Sequence, residues 1–309
     1  MTQEQSWPKI AVVGAGAVGG YFGGLLARAG APVVMIGRPA FVEAVSKSGL
    51  FLDTLQFQES VRVSASTELS AARGADIILF CVKTTDNAAT ARALAPLLSR
   101  ESIVLSLQNG VDNVDQIRAA ADIEALAAVV YVAASVPEPG RVKHLGRGDL
   151  VVGPRTEATE QIAAVFERAG VACRISNNIE DDLWTKLIWN CALNAISALG
   201  HANYGQIVAS VDARKMIETI VDEVLAVAHA AGVQPSGLGD SQAVHAKALT
   251  IATQMAGTFS STAQDMNRGK RTEIDSLNGY IARRGQELGI SATVNHALYT
   301  LVKLAEGRP

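Results

Sequence analysis

Over the first 180 or so residues, short apolar runs closed by glycine or polar residues alternate with amphipathic stretches. KIAVVGAG reads as a buried strand ending in glycines, VGGYFGGLLARAG as a helix, PVVMIGR as a second strand and FVEAVSKSG as a short helix. LFLDTLQFQESVRVSAS alternates in the manner of a small antiparallel excursion. ADIILFCVK, SIVLSLQNG and AAVVYVAAS are further strands, and GRVKHLGRGDLVVG is expected to be a hairpin turning near Arg147-Gly148. An amphipathic helix, ATEQIAAVFERAG, and a last strand, VACRIS, follow. Alternation of this kind predicts a mainly parallel sheet covered by helices.

After about residue 178 the strand signals stop and a helical period takes over, with helices predicted at 180–199, 212–231, 240–256, 274–288 and 292–305. GVQPSGLGD is a break between two of them. The expected architecture is an α/β Rossmann-type N-terminal domain, 1–178, followed by an all-α C-terminal domain, 179–309, with the boundary near SNNIEDD. The faces of 212–231 and 274–305 are apolar enough to suit either a homodimer contact or burial within one subunit.

Composition narrows the function. A length of 309 residues with 49% hydrophobic residues provides ample core. A net charge of -3 and no run of Lys or Arg argue against a nucleic-acid partner. Every long apolar run is interrupted within a few turns, so no membrane span is expected. The polar start MTQEQSWPKI and three dispersed cysteines, Cys81, Cys173 and Cys191, suit a reduced, cytoplasmic protein. The five histidines are scattered without metal-ligand spacing, so no metal is expected.

The candidate chemistry starts at the glycines. Gly14, Gly16 and Gly19 form G-x-G-x-x-G between a strand and a helix, and the whole loop Gly14, Ala15, Gly16, Ala17, Val18, Gly19 is a candidate dinucleotide cradle. A pyrophosphate would rest on the free N–H groups at the helix start; the alternative is a glycine-rich turn with no ligand. An NAD site usually ends the second strand with a carboxylate, whereas here Arg38 stands near that place and no carboxylate occurs before Glu43. A guanidinium suits a 2′-phosphate, which points to NADP(H) unless Arg38 is an ordinary solvated arginine. Lys83 and Asn109 each lie just beyond a buried strand, where ligands of an open sheet bind, although either could equally cap a helix or face solvent.

In DLWTKLIWNCALNAISALG, Lys186, Asn190 and Asn194 recur at i, i+4 and i+8 and so line one face of an otherwise apolar helix. Exposed faces favour Glu, Lys and Arg, and Asn is a poor helix former, so the stripe calls for a reason beyond propensity. An ammonium beside two neutral amides suits a 2-oxo acid: Lys186 gives a proton where an alkoxide develops, and the amides orient the substrate.

Taken together, GAGAVG, the second-strand Arg38, CVKT, LQNGV, WTKLIWNCALN and SSTAQDMNRGKRTEID resemble the ketopantoate reductase (2-dehydropantoate 2-reductase) family over nearly the whole chain. The resemblance implies a Rossmann domain followed by a helical domain, with an active site in the cleft between them. It implies that Arg38 meets the NADPH 2′-phosphate and that Lys83, the backbone of Ala134 and Glu273 contact the cofactor. It makes Lys186 the catalytic lysine, Asn109 a contact to both cofactor and substrate, and Asn190, Asn194 and Ser261 substrate ligands. A further asparagine common in the family falls in GHANYGQI, where Asn203 stands. The implied reaction is NADPH-dependent reduction of 2-dehydropantoate to pantoate in pantothenate and coenzyme A biosynthesis. The alternatives are a reductase of another 2-oxo acid, or a non-catalytic NADP(H) sensor.

Overall fold

The computed structural model describes residues 6–235 and 237–307. They fall into two compact units: one comprises the described residues up to Gln108 with Asp112–Ile179, the other Asn109–Val111 with the described residues from Glu180 onward.

In the first unit, β1 (Ile10–Val13), α1 (Ala17–Arg28), β2 (Val33–Ile36) and α2 (Pro39–Ser48) lead into a hairpin of β3 (Leu50–Asp53) and β4 (Gln58–Val61). Next come β5 (Ser64–Ser66), β6 (Ile77–Phe80), α3 (Asn87–Leu94), β7 (Ile103–Ser106) and α4 (Asn113–Ala121). The unit ends with β8 (Ala125–Ser135), β9 (Arg141–Gly153), α5 (Glu157–Arg168) and β10 (Cys173–Ile175). The sheet runs β4-β3-β9-β8-β7-β6-β1-β2-β5, and β10 pairs with β9. Its pairings are parallel except β3 with β4 and β8 with β9. From β5 to β8 this is the doubly wound order, which reverses between β1 and β6; ligands of such sheets bind at that switch point.

Alternation along the strands explains the two cores. Ile10, Val12, Ile77 and Leu79 enter a cluster with α1, α2 and α5, whereas Ala11, Val13, Ile78 and Phe80 enter one with α3 and α4. Both faces are buried, and the strands accordingly read as continuous apolar runs. Helix α1 carries four glycines despite a cost of about 1 kcal/mol each relative to alanine. Packing accounts for them. A Cβ at Gly23 would lie 2.7 Å from Val12 and 2.8 Å from Met35, and one at Gly24 would lie 2.8 Å from Leu52. A Cβ at Gly20 would come within 2.6 Å of Val142. The helix is thus pressed closely on β1 and β2 along one side and on β3 and β9 along the other.

The hairpin expected within GRVKHLGRGDLVVG is absent: β9 runs unbroken from Arg141 to Gly153 against β8. Tyr131 pairs with Asp149 and Val132 with Arg147, so Gly148 is an inserted bulge residue. Arg147 (φ 55°) and Gly148 (φ 136°) adopt the positive φ that a turn would also need, which is why the pair resembles one. The reversal lies instead between Ser135 and Arg141, where Gly140 has φ 77°.

The second unit is helical: α6 (Ile179–Leu199), α7 (Tyr204–Ala209), α8 (Val211–Ala230), α9 (Ser241–Gln254), α10 (Ser261–Asn267), α11 (Asn278–Leu288) and α12 (Thr293–Glu306). The apolar faces of α8, α11 and α12 bury Ile217, Val221, Val224, Ile281, Leu298 and Val302 in the unit's own core. The predicted helix at 274–288 is a 3-10 turn, Ile274–Ser276, then α11, with Leu277 at the break. No helix among the described residues is long and apolar enough to cross a membrane.

Candidate active site

The glycine loop joins β1 to α1 and is tied to the end of β2, because the N–H groups of Gly14 and Ala15 both donate to the Ile36 carbonyl. Its glycines differ in what surrounds them. Gly14 has φ 102°, and a Cβ there would strike the Cys81–Val82 peptide at 2.7 Å. A Cβ at Gly19 would strike the Gly14 carbonyl oxygen at 2.3 Å and Val12 at 2.9 Å. At Gly16 a Cβ would meet nothing within 4 Å. The loop is therefore packed at Gly14 and Gly19 and open at Gly16. Gly16 is the N-cap of α1, without a side-chain cap and without an acidic residue in the first turn. The Gly16 N–H donates to the Gly14 carbonyl at 2.8 Å, so it is the first-turn N–H groups of α1, which a helix leaves without intrahelical partners, together with the open space at Gly16, that fit a pyrophosphate.

Arg38 is exposed at the N-cap of α2, two residues beyond the strand end that holds the loop. A Cβ on its neighbour Gly37 would come within 3.0 Å of Ala15, so this turn lies against the glycine loop. Lys83 is half-buried at the N-cap position of a 3-10 turn, Thr84–Asp86, without a side-chain cap bond. Ala134 lies half-buried in β8 beside a second bulge, pairing with His144 while Ala133 pairs with Gly146.

A buried amide chain, not anticipated from the sequence, ties the loops after β6 and β7. Ser106 Oγ donates to Gln108 Oε1 at 2.8 Å. Gln108 Nε2 donates to the Val82 carbonyl at 2.8 Å and to Asn87 Oδ1 at 2.6 Å. Asn87 Nδ2 donates to Asn113 Oδ1 at 3.0 Å and Gln116 Oε1 at 3.1 Å. The one sequence signal for it was an unusual density of amides bordering the two strands.

In the second unit, Lys186, Asn109 and Glu273 meet. Lys186 Nζ donates to Asn109 Oδ1 at 2.8 Å, and Asn109 Nδ2 donates to Glu273 Oε2 at 3.1 Å. An ammonium on one side and a carboxylate on the other leave the Asn109 amide one workable orientation. Asn109 therefore neither caps a helix nor faces open solvent.

The polar stripe of α6 is not a solvated face: Lys186 and Asn190 are half-buried, and Asn194 is 4% exposed. Asn194 Oδ1 accepts from Tyr204 Oη at 3.3 Å, and burial pushes the Tyr204 hydroxyl well above its usual range, so it remains a donor. The Asn194 carbonyl accepts from Ser260 Oγ at 3.0 Å, and the Ser260 N–H donates to Ser197 Oγ at 3.1 Å. Ser260 also caps α10, and Ser261, the first residue of that helix, is exposed beside it. Asn203 caps α7 reciprocally: its Oδ1 accepts from the Gln206 N–H at 2.9 Å, and Gln206 Oε1 accepts from the Asn203 N–H at 2.9 Å. Its amide oxygen is thus committed to the helix start rather than presented to a ligand.

Comparison with known proteins covers nearly the whole chain. Residues 10–157 match the ketopantoate reductase PanE/ApbA family, and residues 178–306 match its C-terminal region. A 2-dehydropantoate 2-reductase from Pyrococcus horikoshii is 33% identical over 306 residues, covering 96% of this chain and 97% of the relative. The crystal structure of a PanE/ApbA family ketopantoate reductase from Ralstonia eutropha superposes with a TM-score of 0.91 at 48% identity, covering 96% of this chain and 98% of that one. A D-mandelate dehydrogenase, solved with NADH and anilino(oxo)acetate, superposes with a TM-score of 0.89 at 25% identity, over 96% of this chain and 98% of that one. The glycine loop, the strand order and the lysine–asparagine–glutamate cluster thus accompany a match that extends through both regions: the chain belongs to the ketopantoate reductase family of oxidoreductases.

Proposed function

We propose that this protein reduces 2-dehydropantoate to pantoate with NADPH, serving pantothenate and coenzyme A formation, and that Lys186 is the proton donor. The observation that carries this reading is the Lys186–Asn109–Glu273 chain of hydrogen bonds. When bound, the reduced nicotinamide supplies the hydride. Gly14 to Gly19 would hold its pyrophosphate, Arg38 its 2′-phosphate, and Lys83, Asn109, Ala134 and Glu273 the remainder. Hydride addition to a ketone carbon leaves an alkoxide, and an ammonium at that oxygen both stabilises the charge and gives up a proton. Asn109 and Glu273 hold Lys186 in one place, so little reorganisation is needed as charge develops. Asn190 and Asn194, with Ser261, would orient the substrate's hydroxyl and carboxylate.

A second reading, reduction of a different 2-oxo acid, is favoured by the likeness to D-mandelate dehydrogenase. Steady-state oxidation of NADPH and NADH against 2-dehydropantoate, 2-oxo-2-phenylacetate and pyruvate separates the two. The proposal expects kcat/KM to be highest for 2-dehydropantoate with NADPH; a larger value for the aryl acid moves the assignment to the second reading. Lys186→Ala should retain NADPH binding and lose at least ~10²-fold in kcat, the low end for a general acid. Unchanged turnover in that variant ends Lys186's candidacy.

A further inference from the structure

From the buried amide chain we infer that Gln108 is a positioning residue that braces the cofactor loops and the substrate-side amide through a single side chain. This rests on the functional reading above and extends it to a buried residue outside the candidate ligand-binding set. Gln108 is 6% exposed and Asn87 1% exposed, so their amides are held away from water. The Val82 carbonyl is a fixed acceptor, so the Gln108 NH2 must face it and Oε1 must face Ser106. Both Gln108 protons and both Asn87 protons are then used, and the chain of bonds has one direction.

Three candidate ligand-binding features depend on this point. Gly14 rests on the Cys81–Val82 peptide, which directly precedes the carbonyl that Gln108 holds, since a Cβ at Gly14 would lie 2.8 Å from Val82 N and 2.7 Å from the Cys81 carbonyl. The next residue along is Lys83. The residue after Gln108 itself is Asn109, which receives the Lys186 ammonium. Loss of the Gln108 amide releases the Val82 carbonyl on one side and the backbone leading to Asn109 on the other. A displacement of about 1 Å at reacting groups can cost up to ~10²-fold in rate, so a buried brace of this kind acts on turnover without touching substrate.

The signature is a joint loss. Lys83→Ala should weaken NADPH binding, and Asn109→Ala should also disturb Lys186, whereas Gln108→Met, of similar length and without hydrogen bonds, should do both. We expect roughly 10-fold weaker NADPH binding by fluorescence titration together with a roughly 10-fold lower kcat. Ser106→Ala removes only the donor to Oε1 and should give the same joint loss at smaller amplitude; it carries the test if Gln108→Met does not fold. Thr156→Ala, which removes the N-cap of α5 in the same unit, should lower Tm and leave both constants unchanged. A Gln108→Met protein that melts earlier yet keeps both constants within about 2-fold overturns the inference, as does a change in one constant alone. If the wild-type protein neither binds NADPH nor reduces a 2-oxo acid, the functional reading fails and this inference with it. If the wild type is active and the variant equally so, only the brace is wrong.

Discussion

Among individual residues, the three loop glycines look alike in the sequence and differ in their surroundings. Gly14 combines a positive φ with backbone at 2.7 Å, and Gly19 is pressed on the Gly14 carbonyl, so alanine at either should destabilise the fold by roughly 1–3 kcal/mol. Gly16 has φ -84° and open space, so Gly16→Ala should leave thermal stability within about 0.5 kcal/mol while weakening NADPH binding. Melting curves and NADPH titrations on the three variants check this; a stability loss at Gly16 equal to that at Gly14 removes the argument that Gly16 is kept free for a ligand. Motif spacing points to these residues, the end of a buried strand points to Asn109, and resemblance adds Glu273. Periodicity could not bring the latter two together, because 164 residues separate them in the chain. Gln108 was legible by neither route, since a buried amide and an exposed one are written with the same letter.

At the level of elements, alternation and period located the strands and long helices, and the short ones were lost. α7 and α10 have six and seven residues, too few to show a period. Both are marked instead by caps: Asn203 with Gln206, and Ser260. The Arg147-Gly148 bulge resembles a turn in the sequence because both devices need positive φ. The cap reading of Asn203 has a direct test. Asn203→Ala should cost about 1 kcal/mol of stability, and Asn203→Ser, which keeps an oxygen acceptor, should cost much less. KM for the 2-oxo acid should be unchanged in both. A raised KM in the serine variant, with stability preserved, would show that the amide contacts substrate after all.

For the molecule as a whole, the chain folds into two units with separate cores, and the candidate residues divide between them. Gly14 to Gly19, Arg38, Lys83 and Ala134 belong to the sheet unit; Asn109, Lys186, Asn190, Asn194, Ser261 and Glu273 belong to the helical one. On the proposed reading the first group holds the cofactor and the second the substrate, so cofactor affinity and proton donation should be separable by mutation. A ligand that binds only the folded state stabilises it by RT ln(1 + [L]/Kd), about 2.7 kcal/mol at a hundredfold excess over Kd. For a unit of this size that corresponds to a rise in Tm of roughly 5–10 °C. NADPH should therefore raise the melting temperature of the wild type by this amount. Lys186→Ala should keep most of the rise, because in the proposed mechanism the ammonium acts on the substrate oxygen rather than on the cofactor. If Arg38 holds the 2′-phosphate as proposed, Arg38→Ala should lose most of the NADPH shift while changing any NADH shift little. Scanning calorimetry with each nucleotide on the three proteins reads all of these at once. Equal loss of the two shifts in Arg38→Ala would mean that the arginine supports the loop generally, and the argument from Arg38 to NADPH would fall.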